Sequence, residues 1–265
     1  MKQRIITGVA AAAVFLPIVY IGGLPLTILT FLMATIAILE LLRMKSIPIF
    51  SFPAILSTLL LWIFLLPKEY SYIIDDFGVS KIEMALLAIL LYLSYTVVTK
   101  NKFTFDDVGF VILTTIYIGL GFYYLIETRL DLGLNYIFFV LIVVWTTDSG
   151  AYFIGRAIGK RKLWPDISPN KTIEGSIGGI IVAIIIAIVY VTFIPLGLSI
   201  INIVILTIFL SIFGQLGDLV ESALKRHYNV KDSGNILPGH GGILDRVDSW
   251  LFALPILHFL LLFIS

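Results

Sequence analysis

The chain has 265 residues, of which 59% are hydrophobic and 13% charged, with a formal net charge of +1. Water-soluble domains carry roughly 25% charged residues, so this composition excludes one and marks a chain built for a lipid bilayer. The near-neutral balance gives no reason to expect a nucleic-acid partner, and the absence of cysteine excludes disulfides, thiolate metal ligands and cysteine nucleophiles.

Apolar runs, measured against the ~20 residues that cross ~30 Å of hydrocarbon, predict about nine helices. They fall at 5–21, 24–42, 53–67, 82–99, 108–126, 134–155, 174–194, 199–221 and 246–264. The first follows a short stretch carrying Lys2 and Arg4 and has signal-peptide features, but the further spans make an uncleaved first helix the simpler reading. The expected fold is all-α, a polytopic integral membrane protein. Residues 1–140 read as scaffold helices and 141–265 as a catalytic region with two basic loops, 156–172 and 222–245.

With the N-terminus in the cytoplasm and the C-terminus outside, fifteen of the eighteen Lys and Arg residues fall on inner segments. Only Lys68, Lys81 and Arg129 lie outside, with the acids Glu69, Asp75, Asp76, Glu127 and Asp131. A miscounted helix would destroy this bias, so helix count and orientation support each other. Basic inner loops are required for topology alone, so charge by itself does not establish phosphate binding.

The acids of the second half are more diagnostic. Asp148 lies toward the inner end of the sixth helix, Asp218 and Glu221 toward that of the eighth, and Asp245 and Asp248 at the start of the ninth. Asp218/Glu221 and Asp245/Asp248 are i, i+3 pairs, which put both carboxylates on one helix face. Such groups at low dielectric repel one another unless a cation separates them, and hard oxygen ligands suit Mg²⁺. For Asp245 and Asp248 a plainer reading competes, since acids favour a helix N-terminus.

Between the eighth and ninth spans, residues 222–248 read SALKRHYNVKDSGNILPGHGGILDRVD. This stretch concentrates Lys225, Arg226, Lys231, Asp232, His240, Asp245, Arg246 and Asp248 beside hydrocarbon, where unpaired charge is costly. Pro238 with Gly239, Gly241 and Gly242 blocks a regular helix and lets backbone N–H groups approach a ligand, as phosphate-binding loops do. A helix start carrying two acids and an arginine follows directly.

This segment resembles the signature of the phosphatidate cytidylyltransferases, with S-x-x-K-R, K-D-x-G, H-G-G and D-R-x-D in place. WTTDSGAYFIGRAIGK at 145–160 and SPNKTIEG at 168–175 are also similar to that family. The resemblance implies transfer of CMP from CTP to phosphatidate, giving CDP-diacylglycerol and pyrophosphate, with Mg²⁺ as cofactor. In that reading Asp218, Asp245 and Asp248 hold the metal, with Asp148 and Glu221 as further candidates, and a second cation such as K⁺ suits the carboxylates. Lys225, Arg226, Lys231 and Arg246 contact phosphates and His240 donates to one. Asn170, Lys171 and Thr172 close the site, with Ser222, Asp232, Gly239, Gly241 and Gly242 completing the substrate-binding set. Phosphatidate is already anionic and needs little general-base help, so the chemistry reduces to bringing two repelling polyanions into line.

The lipid headgroup must reach the inner helix ends while its chains stay in the bilayer, so a lateral cleft is expected. GSIGG at 175–179 offers a small-residue face for close packing on another helix or on a second subunit, compatible with the family's usual homodimer. Three rival readings carry weight. A CDP-alcohol phosphatidyltransferase expects D-x-x-D-G-x-x-A-R, whereas Asp248 is followed by Ser249, Trp250, Leu251 and Phe252. A CTP-dependent polyprenol or phytol kinase differs in the phosphate transferred. An ion-coupled transporter would place its acids near the midplane between repeats. The expected home is a prokaryotic inner (plasma) membrane, with the active site facing the cytoplasm.

Overall fold

In hydrocarbon every backbone N–H and C=O must find an internal partner, which makes helices the default for apolar runs of this length. The computed structural model describes residues 2–264 apart from 71, 73–75 and 77. Asp75 and the side chains of Lys2 and Arg4 lie outside the described residues.

Nine long α-helices are present among the described residues: α1 (Lys2–Ile21), α2 (Gly23–Met44), α3 (Phe52–Leu65), α4 (Lys81–Val98), α5 (Phe105–Glu127), α6 (Leu134–Ile158), α7 (Ile173–Phe193), α8 (Ile200–His227) and α9 (Leu244–Ile264). Seven are long and apolar enough to cross a membrane, and the chain is an all-α polytopic membrane protein. The two shorter apolar helices are α3 and the Ile6–Ile21 part of α1. At 1.5 Å per residue the 14 residues of α3 rise only about 21 Å.

The helices form two units, each with its own packing. One, Ile21–Glu127, is built on α3 against α5, with α2 and α4 beside them. Two buried polar contacts tie it together: the Ser57 and Tyr92 hydroxyls meet at 2.9 Å, and Lys68 lies 3.5 Å from the buried Glu127 carboxylate.

The other unit joins α1 to everything from Thr128 onward. Arg129 donates to the carbonyls of Val19 and Tyr20, both at 2.8 Å, so it satisfies two of the orphan acceptors at the end of α1. Phe15 of α1 stacks on Trp250 of α9 with ring centroids 5.1 Å apart.

The closest helix pair here is α6 with α7. A Cβ added to Gly179 would fall 2.5 Å from the Thr147 carbonyl oxygen, and one on Gly175 2.6 Å from that of Ala151. The small-residue face at 175–179 therefore packs on α6 of the same chain, backbone against backbone.

Two local elements differ from expectation. The basic segment after α6 is not a plain loop: β1 (Lys162–Trp164) and β2 (Ser168–Thr172) form an antiparallel hairpin. Its base is closed by Glu174, whose carboxylate accepts from the backbone N–H of Lys160 and Arg161. The eighth helix also runs six residues beyond its expected end at 221, to His227. Hydropathy ends where polar residues begin, but Glu221, Lys225 and Arg226 are good helix formers and carry the helix past the apolar stretch.

Candidate active site

The extra turns of α8 align Asp218, Ser222 and Lys225 on one stripe, with Glu221 beside them. Ser222 Oγ donates to Asp218 Oδ1 at 3.3 Å. Lys225 pairs with Glu221 one turn back and reaches Asp245 of α9 at 2.7 Å. Glu221 is buried, so Lys225 is the charge that makes its burial tolerable.

Asp245 is fully engaged. Beyond Lys225 on Oδ1, its Oδ2 accepts from Ser233 N, Ser233 Oγ and Gly242 N, each at 2.8 Å. One carboxylate thereby ties α8, the 233 turn and the glycine loop to the first turn of α9. Gly241 packs against that carboxylate with φ 84°, and Gly239 has φ 77°, a region that disfavours any side chain.

A close approach of α8 to α9 sets the depth of the site. A Cβ on Gly217 would stand 2.5 Å from the Asp248 carbonyl oxygen, so only glycine lets the backbones meet there. The next residue, Asp218, is thereby brought beside Asp248, and the α6–α7 seam delivers Asp148 to the same place. These three carboxylates, from three helices, repel one another. Lys171, at the end of β2, answers them with a 2.6 Å ion pair to Asp218.

Asp148, Lys171, Asp218, Lys225, Asp245 and Asp248 line one cavity of about 920 Å³. Its lining holds five acids, Asp148, Asp218, Asp232, Asp245 and Asp248, and five bases, Arg156, Lys162, Lys171, Lys225 and Arg246. Val144, Trp145 and Trp250 give it an apolar side. Charge is therefore balanced and held at the ends of membrane helices, where it can receive an anionic, partly apolar ligand.

Carboxylate oxygens are the donor type that suits a hard divalent cation such as Mg²⁺. Among the described residues no three His, Asp or Glu side chains are drawn together into a finished metal site. Three carboxylates instead face one open cavity, the arrangement expected for an ion that keeps several waters and takes substrate phosphates.

Of the other residues singled out from sequence, Asn170, Thr172 and Asp232 line the cavity, and Thr172 also caps α7 by accepting from Gly175 N at 3.1 Å. Ser222, Glu221, Arg226, Lys231, Gly239, His240, Gly241 and Gly242 are outside the lining. Arg226 instead donates to the Ile167 carbonyl in the hairpin turn, at 3.4 Å.

Sequence reasoning passed over Arg156, Lys162, Tyr152, Ser176 and Gln215, all of which line the cavity. Arg156 and Lys162 were counted only as topology charges. For Tyr152 and Arg156 the usable signal is their position in the 145–160 stretch, one and two turns respectively beyond Asp148 on α6. Gln215 had a signal in being an amide inside an apolar helix; it donates to the Ser211 carbonyl at 3.3 Å.

Fold and cavity together define a membrane-embedded protein that handles charged ligands at one end of a helix bundle. Residues 2–264 match the model of the Cytidylyltransferase family, and the chain belongs to that family. It is 60% identical over 267 residues to the phosphatidate cytidylyltransferase of Bacillus subtilis (strain 168), spanning 100% of this chain and 99% of that protein. The corresponding proteins of Staphylococcus saprophyticus and Staphylococcus aureus (strain COL) are 50% and 46% identical over 262 residues, each covering 99% of both chains.

Proposed function

We propose that the chain transfers CMP from CTP to phosphatidate, forming CDP-diacylglycerol and releasing pyrophosphate. The observation that carries this reading is a single cavity in which three facing carboxylates, five cationic side chains and an apolar wall meet. CTP and phosphatidate are both polyanions, and phosphatidate adds acyl chains that need an apolar side.

In this reading the phosphate oxygen of phosphatidate attacks the α-phosphorus of CTP, and the bond to the β-phosphate oxygen breaks as pyrophosphate leaves. The attacking oxygen is already anionic, so no side chain has to remove a proton. Arg156, Lys162, Lys171 and Arg246 screen the phosphates and hold them in line, which is most of the catalytic task. Lys225 is already engaged by Glu221 and Asp245, so it acts on the ligand through the loop that Asp245 holds. Asp148, Asp218 and Asp248 would hold Mg²⁺, which supplies charge neutralisation of the triphosphate when bound. A second, monovalent cation enters only as an addition, because the basic side chains of the lining already equal the acidic ones.

Trp145, Tyr152 and Trp250 offer a side for the glycerol and the first acyl carbons. The active site faces the cytoplasm in this reading, where CTP is found, and the membrane is the cytoplasmic membrane of a prokaryote.

The test supplies purified protein with phosphatidate, Mg²⁺ and CTP carrying ³²P at either the α or the γ position. Lipid labelled only from α-labelled CTP, with one pyrophosphate released per lipid, is expected. Label arriving from the γ position would reassign the chain as a CTP-dependent lipid kinase, and no labelled lipid would overturn both.

A further inference from the structure

We propose that α1 holds the His240 loop in register for CTP, with Thr7 and Gly8 acting as positioning residues. This rests on the reading of residues 237–246 as part of the CMP-transfer site.

The observations lie at opposite ends of the chain. Thr7 Oγ1 donates to the Pro238 carbonyl at 3.0 Å, across 231 residues of sequence. One residue on, a Cβ at Gly8 would stand 3.4 Å from Nε2 and 3.5 Å from Cε1 of His240. The imidazole thus lies against the bare backbone of α1, leaving room for a methyl group and nothing larger. Its other nitrogen, Nδ1, is buried without a hydrogen-bond partner. A buried polar atom left in that state is costly, and an arriving ligand group that pairs with it recovers the loss.

The loop closes on itself through two backbone bonds, Leu237 N–H to the Gly241 carbonyl at 3.0 Å and His240 N–H to the Leu237 carbonyl at 2.8 Å, which fix its turn but not its place against the rest of the protein. Its turns are made at Gly239 and Gly241, which have no side chains to pack. Asp245 anchors only the base, through Ser233 and Gly242. The tip is held by α1, and α1 is itself fixed by Arg129 at its far end and by Phe15 on Trp250 midway. The first helix therefore buttresses the loop from outside the cavity lining, although it stands more than two hundred residues before the loop it supports.

The test compares Thr7→Val, Thr7→Ser, Gly8→Ala, Gly8→Leu and His240→Ala in the full-length detergent-solubilised protein, by steady-state kinetics for each substrate and by thermal denaturation. Thr7→Val keeps the shape and loses the donor, and Gly8→Leu pushes the ring away. Both should raise KM for CTP about 3- to 10-fold, the size expected for one lost hydrogen bond, with KM for phosphatidate and Tm unchanged. Thr7→Ser and Gly8→Ala should stay within about twofold of the parent protein, since they keep the donor and the space. If His240→Ala is impaired while Thr7→Val and Gly8→Leu are unchanged, or lose both substrates together with Tm, the role of α1 falls and the loop reading stands. If His240→Ala is also unchanged, the loop reading falls and takes the proposal with it.

Discussion

The ammonium of Lys171 lies 2.6 Å from the carboxylate of Asp218, joining the end of the hairpin to α8 inside the cavity. This cation sits beside three carboxylates that otherwise repel, so it holds the place a divalent ion would share. Lys171→Met should therefore lower Tm in EDTA and be rescued by millimolar Mg²⁺. Because both side chains are partly exposed, the loss in EDTA should be only about 0.5–1 kcal/mol. Equal destabilisation with and without Mg²⁺ would show that the carboxylates do not take the ion.

Asp248→Asn and Asp148→Asn each remove one charge from that set without changing shape. CMP transfer should drop at least about 100-fold, the scale of losing a main electrostatic group in an active site, while Tm stays or rises as repulsion is relieved. Retained turnover in both variants would end the assignment of these aspartates.

Two glycines one turn apart on α8 provide a packing test. A Cβ at Gly214 meets nothing nearer than 3.7 Å, whereas one at Gly217 meets the Asp248 carbonyl oxygen. Gly214→Ala should be neutral or stabilising by up to about 1 kcal/mol, as expected for removing a helical glycine. Gly217→Ala should cost about 1–3 kcal/mol through overpacking, and should reduce activity by moving Asp218 away from Asp248. Chemical denaturation and turnover measured together would reveal whether the two alanines behave alike.

Lys225 carries two buried partners at once. Lys225→Met leaves the buried Glu221 without its cation and removes one of the four donors on Asp245, and should cost about 3 kcal/mol, the penalty of breaking a buried ion pair from one side. Adding Glu221→Gln should return part of that loss. A double variant no more stable than the single one would mean that Glu221 is not held by Lys225.

Asp245→Asn should free the loop rather than unfold the protein. The amide cannot accept from Lys225, Ser233 and Gly242 together while also presenting its own donors. Hydrogen exchange at the Ser233 and Gly242 amides should accelerate at least about tenfold, corresponding to one lost charge-assisted bond, with helix protection elsewhere unchanged. Unaltered exchange at both amides would remove Asp245 as the clamp.

Much of the site was legible because membrane chemistry restricts where charge can sit. Asp148, Asp218, Asp245 and Asp248 stood out as acids at the ends of apolar runs, and all four line the cavity. What spacing could not distinguish was their employment. Asp245 and Asp248 are one turn apart and look equivalent on a helical wheel, yet one is saturated by four donors and the other faces the open cavity. Likewise Lys225 reads as a phosphate ligand from sequence, while in the fold it is engaged by Glu221 and Asp245.

Sequence alone determined the class of structure, because backbone hydrogen bonding in hydrocarbon leaves helices as the solution for each apolar run, and it marked the residues too polar to be there without a task. Only the tertiary structure decided that α1 belongs with the second half of the chain, that the basic segment after α6 folds into a hairpin, and that three aspartates share one cavity. Those outcomes depend on backbone approach at Gly175, Gly179 and Gly217 and on single contacts such as Thr7 to Pro238. Such contacts join residues far apart in the chain, and no local periodicity encodes them.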